Sequence, residues 1–275
     1  MSSHSPPASR RHLLPLAQWE AAARSALVGV FTDIDDTLTT EGAITPDALQ
    51  AMGALHAAGL NLVAITGRPA GWSEPFASAW PVDAIVAENG AVALMPTAPG
   101  RIEKRHRQDA ATRARNLERM QAVLARIERE IPGARRSADC AGRECDIAID
   151  HSEFSQLDDD TIAQVAALMR SEGMHATVSS IHINGWYGEH DKLEGARWIV
   201  RELWGRALDR EMHRWAYVGD STNDALMFEH FAHSVGVANV RRFESALTHL
   251  PRYVAPSERG AGFAEVAAAI LQARG

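Results

Sequence analysis

The sequence predicts an α/β protein: a doubly wound parallel sheet interrupted by an inserted α+β unit. Three observations carry this. Short apolar, β-branched runs at 28–32, 60–65, 81–87 and 215–218 each stop at polar residues, as parallel strands buried on both faces do. Stretches with helical spacing stand between them, so strand and helix alternate. From about 97 to 186 the rhythm breaks, and that stretch is too long for one crossover and carries elements of its own. The expected organisation is an N-terminal extension at 1–26, a core made of 27–96 and 187–275, and an inserted domain at 97–186.

Taken in order, residues 1–11 mix Ser, Pro, His and Arg without periodicity and read as a disordered tail. The Arg10-Arg11 pair lacks the apolar stretch of an export signal. Leu16, Trp19, Ala23 and Leu27 have the spacing of a short amphipathic helix. After the first strand, Thr45-Pro46 opens a helix with proline in its first turn, Leu49, Met52 and Leu55 on one face, and Gly59 as its stop. The strand at 60–65 runs into Thr66-Gly67-Arg68-Pro69, and that at 81–87 into Glu88-Asn89-Gly90-Ala91. A Pro/Gly loop at 96–100 and a segment at 186–191 are the expected hinges of the insertion. Inside it, 107–131 reads as a long charged helix, 145–150 as a strand, 157–171 as a helix and 175–184 as extended. The main rhythm resumes with a helix at 192–205, the strand at 215–218, a helix from Ala225, strands at 234–237 and 253–254, and a last helix at 261–273.

The chain has 275 residues, enough core for one large domain or two ordinary ones. It is 46% hydrophobic and 23% charged, with a formal net charge of -7. An acidic balance argues against nucleic-acid and anionic-membrane partners, which require a basic face. No apolar run approaches the roughly 18 residues of a membrane span. Cys140 and Cys145 form no metal-type spacing and are expected to be reduced thiols in a cytoplasmic protein, a monomer or small homo-oligomer. Lys104 and Lys192 are the only lysines among 28 basic residues, and a site that needs a compact ammonium cannot accept arginine.

Chemistry-capable groups stand at four strand ends: Asp33, Asp35 and Asp36; Thr66; Asn89; and Asp220, Asn223 and Asp224. In an open α/β sheet, ligands bind outside the carboxyl ends of the strands. Clustered carboxylates repel one another and invite a divalent cation with oxygen ligands, whereas a solvated acidic turn is the plain alternative for Asp33 to Asp36 alone. A hydroxyl, an amide and a lysine beside such carboxylates suit a phosphate group.

The order DxDxT (33–37), Thr66, Lys192, GDxxND (219–224) resembles the haloacid dehalogenase-like (HAD) phosphohydrolases. Because the insertion lies between Thr66 and Lys192 and follows Glu88-Asn89-Gly90-Ala91, the chain looks like the subfamily with a C2-type cap, which includes Cof-type, sucrose-phosphate, mannosyl-phosphoglycerate and trehalose-phosphate phosphatases and phosphomannomutases. The resemblance implies a HAD-like Rossmannoid core with an α+β C2-type cap, and a small phosphorylated metabolite, a sugar or polyol phosphate, as substrate. It makes Asp33 the nucleophile, Asp35 the general acid and base, and Thr66 and Lys192 the phosphoryl-binding groups. It implies Mg²⁺ on Asp33, Asp220 and the carbonyl of Asp35, with Asp224 in support. Gly67, Asn89 and Asn223 fall within the implied phosphate site. His182, Asn184 and Trp186 of the insertion, with Arg143 and Glu144, are candidates for lining the substrate pocket. Asp36 departs from the family's usual glycine and is read as a turn residue. A phosphosugar mutase and a non-catalytic binding module are the rival readings.

Overall fold

The computed structural model describes residues 13–275, and the tail expected at 1–11 lies outside them. The chain begins with β1 (Leu14–Pro15), α1 (Ala21–Ser25), β2 (Gly29–Thr32), a small hairpin of β3 (Thr39–Thr40) and β4 (Ala43–Ile44), and α2 (Pro46–Ala57). It continues with β5 (Asn61–Ile65), α3 (Ala70–Ala79), β6 (Ala84–Ala87), β7 (Val92–Ala98) and β8 (Arg101–His106). The inserted unit holds α4 (Ala110–Glu130), β9 (Arg135–Arg136), β10 (Ile147–Asp150), α5 (Asp159–Ser171), β11 (His175–Val178) and β12 (His182–Trp186). The chain returns with α6 (Lys192–Trp204), α7 (Leu208–Glu211), β13 (Trp215–Gly219), α8 (Ala225–His230), β14 (His233–Gly236), β15 (Tyr253–Val254) and α9 (Arg259–Gln272).

Among the described residues, nine strands form one sheet in the order β1-β15-β14-β13-β2-β5-β6-β7-β8. Pairings from β1 through β6 are parallel, and β7 and β8 add an antiparallel hairpin at the edge. The chain winds away from β2 in one direction and from β13 in the other, so strand order reverses between these two and leaves a crevice at their carboxyl ends. One face of the sheet packs on α2, α3 and α9 through residues such as Met52, Leu55, Ala77 and Phe263. The other packs on α6 and α8 through Leu193, Ile199, Phe228 and the stacked Phe31 and Trp215. Gly29 is required there, because a β-carbon would sit 2.3 Å from the Trp215 ring.

The inserted unit has its own antiparallel sheet, β11-β12-β10-β9, and its own core. The period of two explains its two faces. Ile147, Ile149 and Ile183 point into the helices α4 and α5, while Ala148, Asn184 and His182 fall on the opposite face. That face turns toward the crevice of the large sheet, where Asn184 and Arg143 reach the Gly67 carbonyl.

Three expectations need correction. The boundary at 97 falls inside the β7–β8 hairpin: Pro96 and Ala98 pair with Ile102 and Arg101, so 96–100 is a hairpin tip of the large sheet and no hinge. The polar, charged β8 carries no buried-strand pattern because it is a solvated edge strand. The segment 15–26 is no single helix. Instead β1 pairs with β15, and Leu16, Trp19 and Leu27 are buried in the main core, so residues 13–26 belong to the large sheet's layer structure. Leu49, expected on the buried face of α2, is exposed, and Ala48 and Ala51 take its place beside Met52 and Leu55.

The start of α6 is set by a close backbone approach. A β-carbon on Gly195 would lie 2.7 Å from the Gly90 α-carbon, and one on Gly90 would lie 2.1 Å from the Asp191 carbonyl oxygen. Gly195→Ala must therefore push α6, and Lys192 with it, off the turn that follows β6. The expected cost is about 1–3 kcal/mol of unfolding free energy, measured by urea denaturation, and a cost below about 0.5 kcal/mol would show that the contact yields freely.

Candidate active site

The end of β2 is pinned to β13 by the Asp33 amide, which donates to the Val218 carbonyl at 2.9 Å. Asp33 and Asp220 thus stand together because their strands are neighbours at the reversal of strand order. Asp33, Asp220 and Asp224 are buried, and their carboxylate oxygens lie within 4.8 Å of one another. Lys192, in the first turn of α6, is the cation set against them: Nζ lies 2.8 Å from Asp33 Oδ1 and 2.7 Å from Asp224 Oδ1. Burial pushes the lysine pKa down, but Asp224 and Asp33 outweigh it and hold the ammonium protonated.

One ammonium does not balance three buried carboxylates. Burial, opposed by Lys192 and aided by Asp224 and Asp35, takes the Asp33 pKa up to about 7. Burial, Asp224 and Asp33 raise that of Asp220 well above the usual range. A hard divalent cation fits such a charge-deficient oxygen set. Asp33 and Asp220 could hold it, since the oxygens of Asp224 are already engaged. Oδ1 accepts from Lys192 and the Tyr217 hydroxyl, and Oδ2 accepts the amides of Asp220 and Ser221 at 2.9 and 3.2 Å. Asn239 steadies Asp220 by donating to its Oδ2 at 3.0 Å.

The Asp35 side chain does not join this cluster. It turns to Arg68, whose Nε lies 2.9 and 3.0 Å from the two carboxylate oxygens. Arg68 also reaches two carboxylates of the insertion, Asp139 at 3.2 Å and Glu153 at 2.8 Å. Its pKa is lowered by burial but raised further by Asp35 and Glu153, so it stays charged. Asp36, in the left-handed region at φ 52°, pairs with Arg259 at 3.0 Å.

Thr66 Oγ1 accepts the Arg68 amide at 3.0 Å, which leaves its hydroxyl hydrogen for a ligand oxygen. Gly67 lies against Asn89 and Asn184, and a β-carbon there would sit 3.2 Å from Asn184 Oδ1. Asn89 is buried with a left-handed backbone and an unpaired Nδ2. Asn223 accepts from the Ser221 hydroxyl at 3.0 Å. Neither His182 nor Asn184 lines the open cleft. Asn184 Nδ2 donates to Asp146 and to the Gly67 carbonyl and so braces the insertion against the loop after Thr66, while His182 is buried between Arg143 and Glu153 of the insertion. Trp186 is buried in the insertion's own core.

A cleft of about 310 Å³ opens in front of Asp35 and Arg68, walled by Asp36 and Thr39 of the core and by Glu153 and Phe154 of the insertion. Sequence reasoning missed Tyr217, Asn239, Glu88 and Glu153. Glu88 stood in the quoted Glu88-Asn89-Gly90-Ala91 run without a role. Its buried carboxylate accepts the Ala70 amide at 2.9 Å from the core and the Glu144 amide at 3.0 Å from the insertion.

Residues 30–118 match the model of a haloacid dehalogenase-like hydrolase family. No curated protein sequence matches the chain. Among solved structures, a Thermoplasma acidophilum protein is similar at a TM-score of 0.68 and 15% identity, covering 89% of this chain and 99% of that one. The sucrose-phosphatase of Synechocystis sp. PCC6803, solved with sucrose and phosphate, gives 0.63 and 16%, covering 88% and 97%. A haloacid dehalogenase-like hydrolase from Bacteroides thetaiotaomicron gives 0.62 and 15%, covering 89% and 99%. At such identities the structural likeness speaks for the fold. The sequence match covers residues 30–118, and the structural likeness adds the fold: a haloacid dehalogenase-like core with an inserted cap.

Proposed function

We propose that the protein is a Mg²⁺-dependent phosphomonoester hydrolase that works through an aspartyl-phosphate on a small phosphorylated metabolite, a sugar or polyol phosphate. The observation that carries this is the buried Asp33–Asp220–Asp224 cluster with Lys192, at the carboxyl ends of adjacent parallel strands, one of which leads into Thr66. A bound Mg²⁺ would supply the missing positive charge and stabilise the phosphoryl oxygens. An oxygen of Asp33 attacks phosphorus, and the bond from phosphorus to the alcohol oxygen breaks. Asp35 gives the departing alcohol a proton, then takes one from the water that cleaves the acyl phosphate and releases orthophosphate. Lys192 and the Thr66 hydroxyl hold the phosphoryl oxygens during both steps. Sucrose-phosphatase among the structural relatives supports the sugar phosphate as substrate class.

In steady-state assays with Mg²⁺, Asp33→Asn should lower the hydrolysis of an aryl phosphate by about a thousandfold or more, because the shape survives and the nucleophile does not. Full turnover by this variant, or by the native protein in EDTA, sinks the reading. Asp35→Asn should harm esters of poor alkoxide leaving groups more than aryl esters in single-turnover phosphoryl transfer. Equal losses on both would make Asp35 a positioning group only.

The same cluster sets a pH dependence of stability. The folded chain holds protons on Asp33 up to about pH 7 and, through burial and Asp146 against the Ala70 amide, on Glu88 up to about pH 8. The unfolded chain releases them near pH 4, so the native state binds more protons and stability falls as pH rises through that window. Below about pH 6.5 the buried His151 and His190 and the half-buried His233, whose pKa values burial lowers, act in the opposite sense. The clean window is therefore about pH 6.5 to 8.5. In EDTA the melting temperature should drop across it, and saturating Mg²⁺ should raise it more at the upper end than at the lower. An equal Mg²⁺ increment at both ends would contradict the charge-deficient cluster.

A further inference from the structure

The cleft in front of Asp35 has a wall that phosphoryl chemistry does not use. Phe154 and Glu153 project into it from the loop after β10, and Phe154 is 76% exposed, against a core in which large apolar side chains are buried. The loop is rigid. The Asp150 carboxylate accepts the amides of Ser152, Glu153 and Phe154 at 3.1, 2.9 and 2.9 Å, and the Ser152 hydroxyl donates to the Ser180 carbonyl at 2.6 Å. An aromatic ring held out on a fixed backbone at the mouth of a cleft is preorganised to cover the apolar face of something that enters.

The polar part of the wall accepts and does not attract anions. Arg68 is engaged by Asp35, Asp139 and Glu153, and Arg259 lies 3.0 Å from Asp36. The carboxylates of Asp35, Asp36, Glu41 and Glu153 line the cleft. A second phosphate or carboxylate on the substrate would have to displace one of these ion pairs and strand a partly buried carboxylate. Hydroxyl groups, in contrast, can donate to the lone pairs that Glu153 and Asp36 retain.

Resting on the hydrolase reading above, we propose that Phe154 and Glu153 form the specificity subsite of the cleft, taking the uncharged, hydroxyl-bearing ring of a sugar monophosphate. The apolar face of the ring stacks on Phe154, its hydroxyls donate to Glu153, and esters carrying a second anion are rejected.

The test uses the full chain with Mg²⁺ and three esters: a hexose 6-phosphate, glycerol 2-phosphate, which has no ring, and a hexose 1,6-bisphosphate. The ratio of kcat/KM for the hexose 6-phosphate over glycerol 2-phosphate should fall about fivefold to tenfold in Phe154→Ala, mainly through KM, and recover in Phe154→Tyr. The native protein should hydrolyse the bisphosphate at least about tenfold less efficiently than the monophosphate. A ratio that does not move in Phe154→Ala, or a native preference for the bisphosphate, overturns the subsite while leaving the hydrolase reading standing. If none of the three esters releases phosphate while an aryl phosphate is hydrolysed, the subsite is overturned and the hydrolase reading stands; if the aryl phosphate is not hydrolysed either, the hydrolase reading fails and the subsite falls with it.

Discussion

One ammonium set against three buried carboxylates is the constraint on which the core depends. Each carboxylate taken out of water must find donors or resist ionisation. Asp224 finds four, from Lys192, Tyr217 and two backbone amides, and it can approach that backbone because residue 219 is glycine, where a β-carbon would lie 2.4 Å from Asp224 Oδ2. Asp33 and Asp220 are left with less, and that deficit is the chemical capacity of the site. The sheet supplies the geometry: adjacent parallel strands end at one level, so β2 and β13 deliver their carboxylates to one place, and the packing of α6 on Gly90 brings Lys192 to meet them.

The inserted unit is tied to this core through groups that cannot be left unpaired. Glu88 is buried on the core side and accepts amides of Glu144 and Cys145 from the insertion. The Gly67 carbonyl accepts from Arg143 at 3.0 Å and from Asn184 at 3.2 Å. Lifting the insertion removes these partners together, and water must replace them. Arg68 links the two units differently. It faces Asp35 with one edge and Asp139 and Glu153 with the other, so the position of the insertion and the orientation of Asp35 share one guanidinium.

The strand ends were legible in the sequence because a buried parallel strand must be apolar until it reaches the crevice, and there the polar residues declare themselves. Asp33, Thr66, Asp220 and the start of α6 at Lys192 could be read in that way. The β7–β8 hairpin was not, since a solvated edge strand such as 101–106 carries charge like any surface segment. Tyr217 sits within an apolar strand and looks like core, although its hydroxyl meets Asp224. Asn239 lies in a short 3-10 helix and Glu153 in a loop, neither with a periodicity to read, and only tertiary structure brings them to the site. His182 and Asn184 were candidates for lining the substrate pocket, but Asn184 is taken up by Asp146 and Gly67 and His182 by Arg143 and Glu153, and residue type alone does not say whether a side chain meets ligand or protein.

Asp36 shows how a local departure is accommodated. A non-glycine residue at φ 52° is strained unless its surroundings fix it. Here its amide donates to Thr39 Oγ1 at 3.1 Å, its carbonyl accepts from Asn239 at 3.0 Å, and its carboxylate meets Arg259. Asn239 in turn accepts the Arg259 amide at 2.9 Å while donating to Asp220. The turn that carries Asp35, the carboxylate proposed to hold metal and the start of α9 are therefore fastened by one amide side chain. The extra negative charge at position 36 is matched by Arg259 of α9, so the side chain replaces glycine's conformational freedom with a bonded, single conformation.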